Sequence, residues 1–329
     1  MKRRMISMLA AMAFVAGTSA DVSAATQKKT TGVSKKPVKS VNVSRSATSS
    51  ASRSPRARAA GAAAATVAGV GAMGASAVAV QSSAFLVQDQ ETGAVLLEKN
   101  AHSVLPIASI TKLMTAMVTL DAQLGLNETL TVTDDDVDTL KGTRSRLRVG
   151  TQLSREEMLR LALMSSENRA ASALGRHYPG GRSAFIQAMN QKAQSLGLHD
   201  THFKDSTGLT SANVSSPHDL ARLVDAAHQY PLIREFSTTP SGAFDVAGRT
   251  MQFNNTNSLV KSSSWEIGLS KTGYINEAGK CLVMQAWLNN KPVIIVLLDS
   301  WGKMTRIGDA NRIKRWVESA GLKTQRSHT

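Results

Sequence analysis

The sequence predicts an α+β fold, in which an antiparallel sheet is formed by the first and last parts of the folded segment. Apolar runs within Ser83–Leu97, around a turn at Glu91–Gly93, predict a β-hairpin. Two more apolar runs, Cys281–Leu288 and Val293–Leu298, predict strands joined by a turn at residues 289–292. The residues between these two regions show helical periodicity. Strands that enclose a helical middle are typical of α+β folds.

The first predicted helix begins just after Pro106 and carries the motif Ser109-Ile110-Thr111-Lys112. Its apolar stripe consists of Ile110, Leu113, Met114, Met117 and Val118. Ser109 and Lys112 are three residues apart and therefore share one face of the helix. Lysine can activate a serine hydroxyl only if burial or nearby cations lower its pKa. The Ser109 backbone N–H could also stabilise an oxyanion. The alternative is an ordinary amphipathic helix with a solvated lysine.

A second helix is predicted to begin at the capping box Ser154–Glu157. Its apolar residues are Met158, Leu161, Ala162 and Met164. The motif Ser166-Glu167-Asn168 is expected to emerge from the C-terminal end of this helix. The Ser166 hydroxyl could relay a proton there, and the Asn168 amide could hold a substrate carbonyl. The alternative is the polar chemistry of an ordinary helix end.

The third motif, Lys271-Thr272-Gly273, follows Ile267–Ser270 in a predicted strand. Lys271 and Thr272 could bind an anionic substrate terminus, and Gly273 would let the substrate backbone come close. The alternative is a strand edge that ends in glycine. A terminal helix is predicted from Asp309 to Ala320.

The order of the three motifs is more specific than any one of them. Ser-x-x-Lys recurs at Ser258–Lys261 and Ser300–Lys303, and Ser-x-Asn recurs at Ser40–Asn42 and Ser211–Asn213, whereas Lys-Thr-Gly occurs once. Together, in this order, the motifs are typical of penicillin-binding proteins and class A β-lactamases, which attack an amide through an acyl-enzyme. The β-lactamases release the acyl group with a glutamate beyond the second motif. No glutamate occurs here between Glu167 and Glu235, so fast β-lactam hydrolysis is not expected.

A longer resemblance covers about residues 82–320. Leu105–Thr115 resembles the active-site segment of the low-molecular-mass D-alanyl-D-alanine peptidases. His202–Leu209, followed by Asp219–Ala221, resembles the segment between the second and third motifs of that family.

Two segments are more similar to the penicillin-binding protein 7 type endopeptidases. They are Met164–Ala171 and Lys271–Gly279. The resemblance implies the penicillin-binding (β-lactamase-like) fold, an antiparallel sheet packed with helices plus a helical subdomain. It also implies a serine D,D-endopeptidase that hydrolyses D-alanyl cross-links in peptidoglycan.

The predicted site residues combine the motif chemistry with the family pattern. The catalytic residues are Ser109 as nucleophile, Lys112 as its base and Ser166 as proton relay. The substrate-binding residues are Asn168, Lys271, Thr272, Gly273 and Tyr274. The role of Tyr274, whose N–H would complete an oxyanion hole with that of Ser109, comes from the family pattern alone.

The expected partners are peptidoglycan as substrate and β-lactam antibiotics as covalent inhibitors. No cofactor is expected, and no metal, because His199 and His202 lack a third ligand of matching spacing. The alternatives are a D-alanyl-D-alanine carboxypeptidase and a non-catalytic wall- or penicillin-binding protein. Only 56 residues follow Gly273, so the second β-rich domain and C-terminal anchor of many related carboxypeptidases are not expected.

The first part of the chain predicts export to the periplasm. Residues 1–24 form a predicted signal peptide, in which Lys2, Arg3 and Arg4 precede the apolar run Met5–Ala16. Residues 25–81 form a predicted disordered linker that is basic at first and then rich in Ala and Gly. Residues 82–322 form the predicted peptidase domain, and residues 323–329 form a tail.

Most of the net charge of +15 comes from nine lysines and arginines between Val22 and Gln88, where no acid occurs. This basic arm could associate weakly with anionic wall polymers or membrane, or serve as a plain linker. A nucleic-acid partner is not expected, since the arm follows a signal peptide and is poor in aromatic residues. Gly61–Val80 is predicted to be linker rather than a membrane span. Cys281 is the only cysteine, so no intramolecular disulfide forms, and its apolar strand predicts an inert thiol.

Overall fold

The computed structural model describes residues 78–302 and 304–326, with side chains as far as Ser319. The predicted signal peptide, nearly all of the predicted linker and the last three residues of the predicted tail lie outside the described residues. No helix among the described residues is both long enough and apolar enough to cross a bilayer.

In chain order, the structure contains strands and helices with the following bounds. They are β1 (Ala84–Asp89), β2 (Val95–Lys99), β3 (Leu105–Pro106), α1 (Lys112–Asp121), β4 (Thr129–Thr131), β5 (Gln152–Ser154), α2 (Arg155–Met164), α3 (Asn168–Arg176), α4 (Gly181–Ser195), β6 (Val214–Ser215), α5 (Pro217–His228), α6 (Pro231–Thr238), β7 (Ser241–Asp245), β8 (Thr250–Asn254), β9 (Glu266–Ile275), β10 (Gly279–Leu288), β11 (Lys291–Ser300) and α7 (Thr305–Arg326). A 3₁₀ turn at Ala108–Thr111 leads into α1.

The principal sheet is antiparallel and has the strand order β2-β1-β11-β10-β9. The predicted α+β fold is therefore confirmed, because the N-terminal hairpin pairs directly with the last strand. The turn between β10 and β11 needs only Asn289 and Asn290, with φ angles of 52° and 61°. Asparagine tolerates this left-handed conformation, which tight hairpins require. Lys291 and Pro292, assigned to the turn from sequence, consequently belong to β11.

Both faces of this sheet are buried, and this explains the nearly continuous apolar runs of β10 and β11. Alternate side chains point to opposite faces. Val296 and Leu298 contribute to the core shared with the helical region, whereas Ile295 and Leu297 pack in a second core with Ile313 of α7.

Helix α1 runs through the centre of the helical region and packs against α2, α3, α4, α5 and α6. Every residue of α1 from Lys112 to Thr119 is buried, including its polar side chains. The capping box predicted for α2 is present, because the Ser154 hydroxyl accepts from the Glu157 N–H and the Glu157 carboxylate accepts from the Ser154 N–H. These helices place the second motif beside the first.

The folded region begins earlier and α7 is longer than the sequence indicated. The prediction started the domain at residue 82, but Val78 is already buried in the core against α7. The buried Asp309 carboxylate accepts hydrogen bonds from the backbone N–H groups of Gln81 (3.0 Å) and Ser82 (2.8 Å). It also accepts from the Ser82 hydroxyl at 2.7 Å and pairs with Arg312. Asp309 therefore anchors the start of the fold to α7.

Asp309→Ala should lower the free energy of unfolding by about 2–4 kcal/mol, because several buried donors lose their common acceptor. Urea unfolding of the unchanged and variant proteins measures this difference in free energy. The control is Glu318→Ala on the same helix, which removes only an (i, i+4) ion pair to Lys314 and should cost about 0.5 kcal/mol or less. Equal losses in the two variants would contradict the anchoring role.

Candidate active site

Ser109 lies in the 3₁₀ turn that precedes α1, and not within the α-helix itself. The preceding residue, Ala108, has φ = +47°, an uncommon conformation for a residue with a side chain. The Thr111 hydroxyl donates to the Ala108 carbonyl oxygen at 2.8 Å, which closes the turn. The turn is thus held in a specific shape by its own residues.

Two glycines let other segments contact this turn closely. A Cβ atom at Gly208, whose φ is +82°, would lie 2.0 Å from the Ala108 carbonyl oxygen. A Cβ atom at Gly273 on β9 would lie 2.8 Å from the Ile107 carbonyl oxygen and 3.1 Å from the Ser109 nitrogen. The turn is therefore clamped between the Gly208 loop and β9, and neither position has room for a side chain.

Lys112 is completely buried directly beneath Ser109. Its Nζ lies 2.9 Å from Ser109 Oγ, 2.8 Å from Asn168 Oδ1 and 2.6 Å from the Thr207 carbonyl oxygen. Burial lowers the pKa of Lys112 to about 7, against the opposing influence of the Asp205 and Glu167 carboxylates. Near neutral pH, this amine is therefore neutral in a large fraction of molecules.

The three neighbours of Lys112 can satisfy a neutral amine as well as an ammonium. The Asn168 and Thr207 oxygens can only accept, so they take the two N–H groups of the neutral form. The lone pair is then left for the Ser109 hydroxyl, which can donate. This geometry poises Lys112 to remove the Ser109 proton.

The second motif sits on the loop between α2 and α3. Ser166 has φ = +59°, and Asn168 is the first residue of α3, so this motif begins a helix as well as following one. The Asn168 Nδ2 group donates to Thr143 Oγ1 at 3.0 Å, which orients its Oδ1 toward Lys112.

The third motif lies within β9, the edge strand of the sheet. Lys271 is also fully buried, and its Nζ donates to Ser166 Oγ at 2.9 Å and to the Thr272 carbonyl oxygen at 2.9 Å. Burial holds the pKa of Lys271 well below its usual value, and the nearby Lys112 and Arg306 charges add to this. The site thus contains two serine–lysine pairs.

All of the predicted site residues come together at one cleft of about 420 Å³. Its lining is formed by Ser109, Ser166, Asn168, Thr256, Thr272, Gly273, Tyr274 and Arg306. Lys112 and Lys271 lie beneath it, bound to the two serines. An ion pair between Lys141 and Glu277 joins the loop between β4 and β5 to the β9–β10 turn.

Sequence patterns did not single out Arg306, which lies on α7. Its NH1 group donates to the carbonyl oxygens of Gly273 (3.0 Å) and Cys281 (3.1 Å). Burial lowers the pKa of this guanidinium. Arg306 follows Gly273 by 33 residues and belongs to no local motif. It supports β9 and adds positive charge to the cleft.

Thr207 and Asp205 were also missed as individual residues, although they lie in the family-like segment His202–Leu209. The Asp205 carboxylate accepts from the N–H groups of Thr207 (2.8 Å) and Gly208 (2.6 Å). It thereby shapes the loop that presents the Thr207 carbonyl to Lys112. An Asp-Ser-Thr-Gly run predicts such a turn, but it does not predict that the Thr207 carbonyl accepts from Lys112.

Cys281 lies opposite Gly273 in the β9–β10 register and is fully buried. Burial raises the pKa of its thiol to about 11. This agrees with the unreactive thiol expected from sequence.

Comparison with known proteins gives concordant results. The family model described as D-alanyl-D-alanine carboxypeptidase, Peptidase S11, matches residues 71–302. The D-alanyl-D-alanine endopeptidase of Pseudomonas aeruginosa is 51% identical over 240 residues, which cover 72% of this chain and 77% of that protein. The Escherichia coli protein of the same name is 49% identical over 247 residues, covering 74% and 80%.

Solved structures support the same fold. The crystal structure of the Streptomyces K15 DD-transpeptidase is 31% identical with a TM-score of 0.67, covering 72% of this chain and 97% of that one. A D-alanyl-D-alanine carboxypeptidase from Mycobacterium tuberculosis is 26% identical with a TM-score of 0.66, covering 73% and 92%.

Gly208→Ala should destabilise the domain by roughly 3 kcal/mol or more, because the new Cβ meets the Ala108 carbonyl and the residue is strained. Gly248→Ala is the control, since Gly248 also has positive φ (+74°) but a Cβ added there would meet no atom within 4 Å; its cost should be about 1 kcal/mol. Urea unfolding compares the two. Similar costs would show that the close approach at Gly208 is unimportant.

Proposed function

The chain belongs to the D-alanyl-D-alanine carboxypeptidase family of serine peptidases, and we propose that it is a D,D-endopeptidase that hydrolyses D-alanyl cross-links in peptidoglycan. The observation that carries this proposal is the buried Lys112 amine, held 2.9 Å from Ser109 Oγ by two oxygens that can only accept. The two relatives that are about 50% identical over the aligned residues are named endopeptidases, which favours cleavage of cross-links.

In the proposed acylation step, neutral Lys112 takes the Ser109 proton while Ser109 Oγ attacks the D-alanyl carbonyl carbon. The oxyanion is stabilised by the backbone N–H groups of Ser109 and Tyr274. β9 is the edge strand of the sheet within the described residues, so the N–H groups on its outer side pair with no strand there and remain available to substrate.

The proton that Lys112 took from Ser109 then passes through the Ser166 hydroxyl, which is bound to Lys271, to the leaving amine, and Lys112 becomes neutral again. Breaking the C–N bond leaves an ester on Ser109. Water attacks this ester while Lys112 takes its proton; Lys112 then returns the proton to Ser109 Oγ as the acyl group departs as a carboxylic acid, which restores both residues. Asn168 positions the substrate. Lys271 and Thr272 bind its carboxylate beside the Arg306 guanidinium, and Gly273 lets its backbone come close.

Carboxypeptidase activity is the second candidate function, because the cationic end of the cleft at Lys271 and Arg306 also suits a free C-terminal carboxylate. A third, a non-catalytic wall-binding protein, predicts no turnover. Mass spectrometry of a dimeric cross-linked muropeptide and a monomeric pentapeptide at equal concentration separates the three. We expect faster cleavage of the dimer; faster attack on the monomer would identify a carboxypeptidase.

We further propose a periplasmic location, based on the signal-peptide pattern of residues 1–24 and the cell-wall substrate. The linker that follows the signal peptide would end before Val78, where the described fold begins. Its basic residues supply weak attraction to anionic wall or membrane surfaces, which should fade as salt increases.

Ser109→Ala should abolish covalent labelling by a fluorescent penicillin, because a β-lactam acylates the same hydroxyl. Ser258→Ala is the matched control, since Ser258 begins another Ser-x-x-Lys sequence in a 3₁₀ turn outside the cleft. The control should label like the unchanged protein. Stoichiometric labelling of Ser109→Ala would end the proposed mechanism.

The acylation rate should rise with pH through about 7 and then level off. The pKa of Lys112 is lowered to about 7, and only its neutral form accepts the Ser109 proton. Well below pH 7, the rate should fall about tenfold for each pH unit. Penicillin acylation measured from pH 5 to 9 tests this, and a flat profile would exclude Lys112 as the base.

A further inference from the structure

A basic groove of about 530 Å³ lies beside the second motif, between the loop of residues 144–150 and the β7–β8 hairpin. Three arginines line it: Arg146 and Arg148 from the loop and Arg249 from the hairpin. It contributes no residue to the cleft around Ser109, and none of the three sequence motifs accounts for it.

Arg146 fixes the walls of the basic groove to one another. Its guanidinium carbon lies 3.7 Å from the Phe253 ring centroid, a cation–π contact, and its NH1 donates to the Gln252 carbonyl oxygen at 2.6 Å. Its Nε lies 3.8 Å from Glu167 Oε1. Arg146 is therefore a structural cation that links the loop, the hairpin and the second motif.

Arg148 and Arg249 are exposed, and among the described residues neither side chain has a carboxylate within ion-pair distance. Asp245, the acid of the hairpin, does not line the groove; with Glu157 it lines a neighbouring pocket. Glu167 is nearly buried and accepts from the Ser145 hydroxyl at 2.7 Å. The groove therefore presents positive charge that the protein does not neutralise.

The basic groove is connected to the active site through its own loop. Thr143, just before the groove, accepts from Asn168 Nδ2 at 3.0 Å. Ser145, in the groove wall, binds Glu167, the residue between Ser166 and Asn168. These two contacts attach the loop that carries Arg146 and Arg148 to the second motif.

We propose that the basic groove binds a free carboxylate of the cross-linked peptide, outside the D-alanyl residues at the scissile bond. This inference rests on the proposed function, and it names the part of the substrate that a short peptide or a β-lactam lacks. Guanidinium groups bind carboxylates through paired hydrogen bonds, and wall peptides carry several free carboxylates. Binding energy gained away from the scissile bond would favour long, anionic substrates, while acylation of Ser109 stays the same.

The test compares the double variant R148Q/R249Q with the control R144Q/R315Q, which removes two exposed arginines that do not line the groove. For a dimeric muropeptide, R148Q/R249Q should raise KM about 3- to 10-fold with kcat unchanged, as expected for two partly exposed ion pairs. The control should change KM less than about twofold. Penicillin acylation should be the same in both variants, which also verifies the fold.

A second substrate identifies the ligand group. For a dimer whose stem carboxylates are amidated, the unchanged protein should show the raised KM, and R148Q/R249Q should add nothing. An equal effect of the variant on the free and amidated dimers would overturn carboxylate binding in the basic groove. Equal KM values for R148Q/R249Q and R144Q/R315Q on the free dimer would overturn it as well.

Binding measured without turnover separates this inference from the proposed function. The free dimer is titrated into Ser109→Ala protein with and without R148Q/R249Q. A dissociation constant 3- to 10-fold larger in the triple variant supports carboxylate binding in the groove. This holds even if the unchanged protein cleaves no dimer, since that outcome would refute only the endopeptidase proposal. Unchanged affinity refutes the groove while leaving hydrolysis intact.

Discussion

The structure depends on the burial of Lys112, which makes no ion pair with any carboxylate in the part of the chain that the structure describes. A charged amine in this position is costly, so the group is held near neutrality and must be satisfied by hydrogen bonds. Its three partners, at Ser109, Asn168 and Thr207, come from three separate segments of the chain. The turn before α1, the start of α3 and the Asp205 loop therefore have to converge on a single nitrogen atom.

Residues outside the reacting groups hold these segments in place, and they include two glycines and part of α7. Gly208 and Gly273 allow a loop and a strand to contact the Ser109 turn from two sides. Arg306 of α7 binds the carbonyls of Gly273 and of its neighbour across the strand pair, Cys281. Asp309, three residues later, ties down the start of the fold. A single helix thus positions both the edge strand of the cleft and the point at which the chain enters the domain.

Sequence could predict the contacts that local geometry imposes. Ser109 and Lys112 meet because residues three apart share a helical face, and the strands at both ends of the domain were apparent from their apolar runs. The pairing of Ser166 with Lys271 spans 105 residues, and no local rule specifies it. Thr207 acts through a carbonyl that any residue possesses. Arg306 is one of 39 lysines and arginines, and only the packing of α7 distinguishes it.

The position of Cys281 has a further consequence for the dynamics of the cleft. Its thiol is fully buried opposite Gly273 in the β9–β10 ladder, and it is the only sulfhydryl in the chain. A thiol reagent can reach it only when the core packed on this face of the sheet opens, so the rate of modification reports the free energy of that local opening. The native cysteine therefore serves as a built-in probe of fluctuations in the core beside the strand that carries Lys271 and Thr272, with no engineered label.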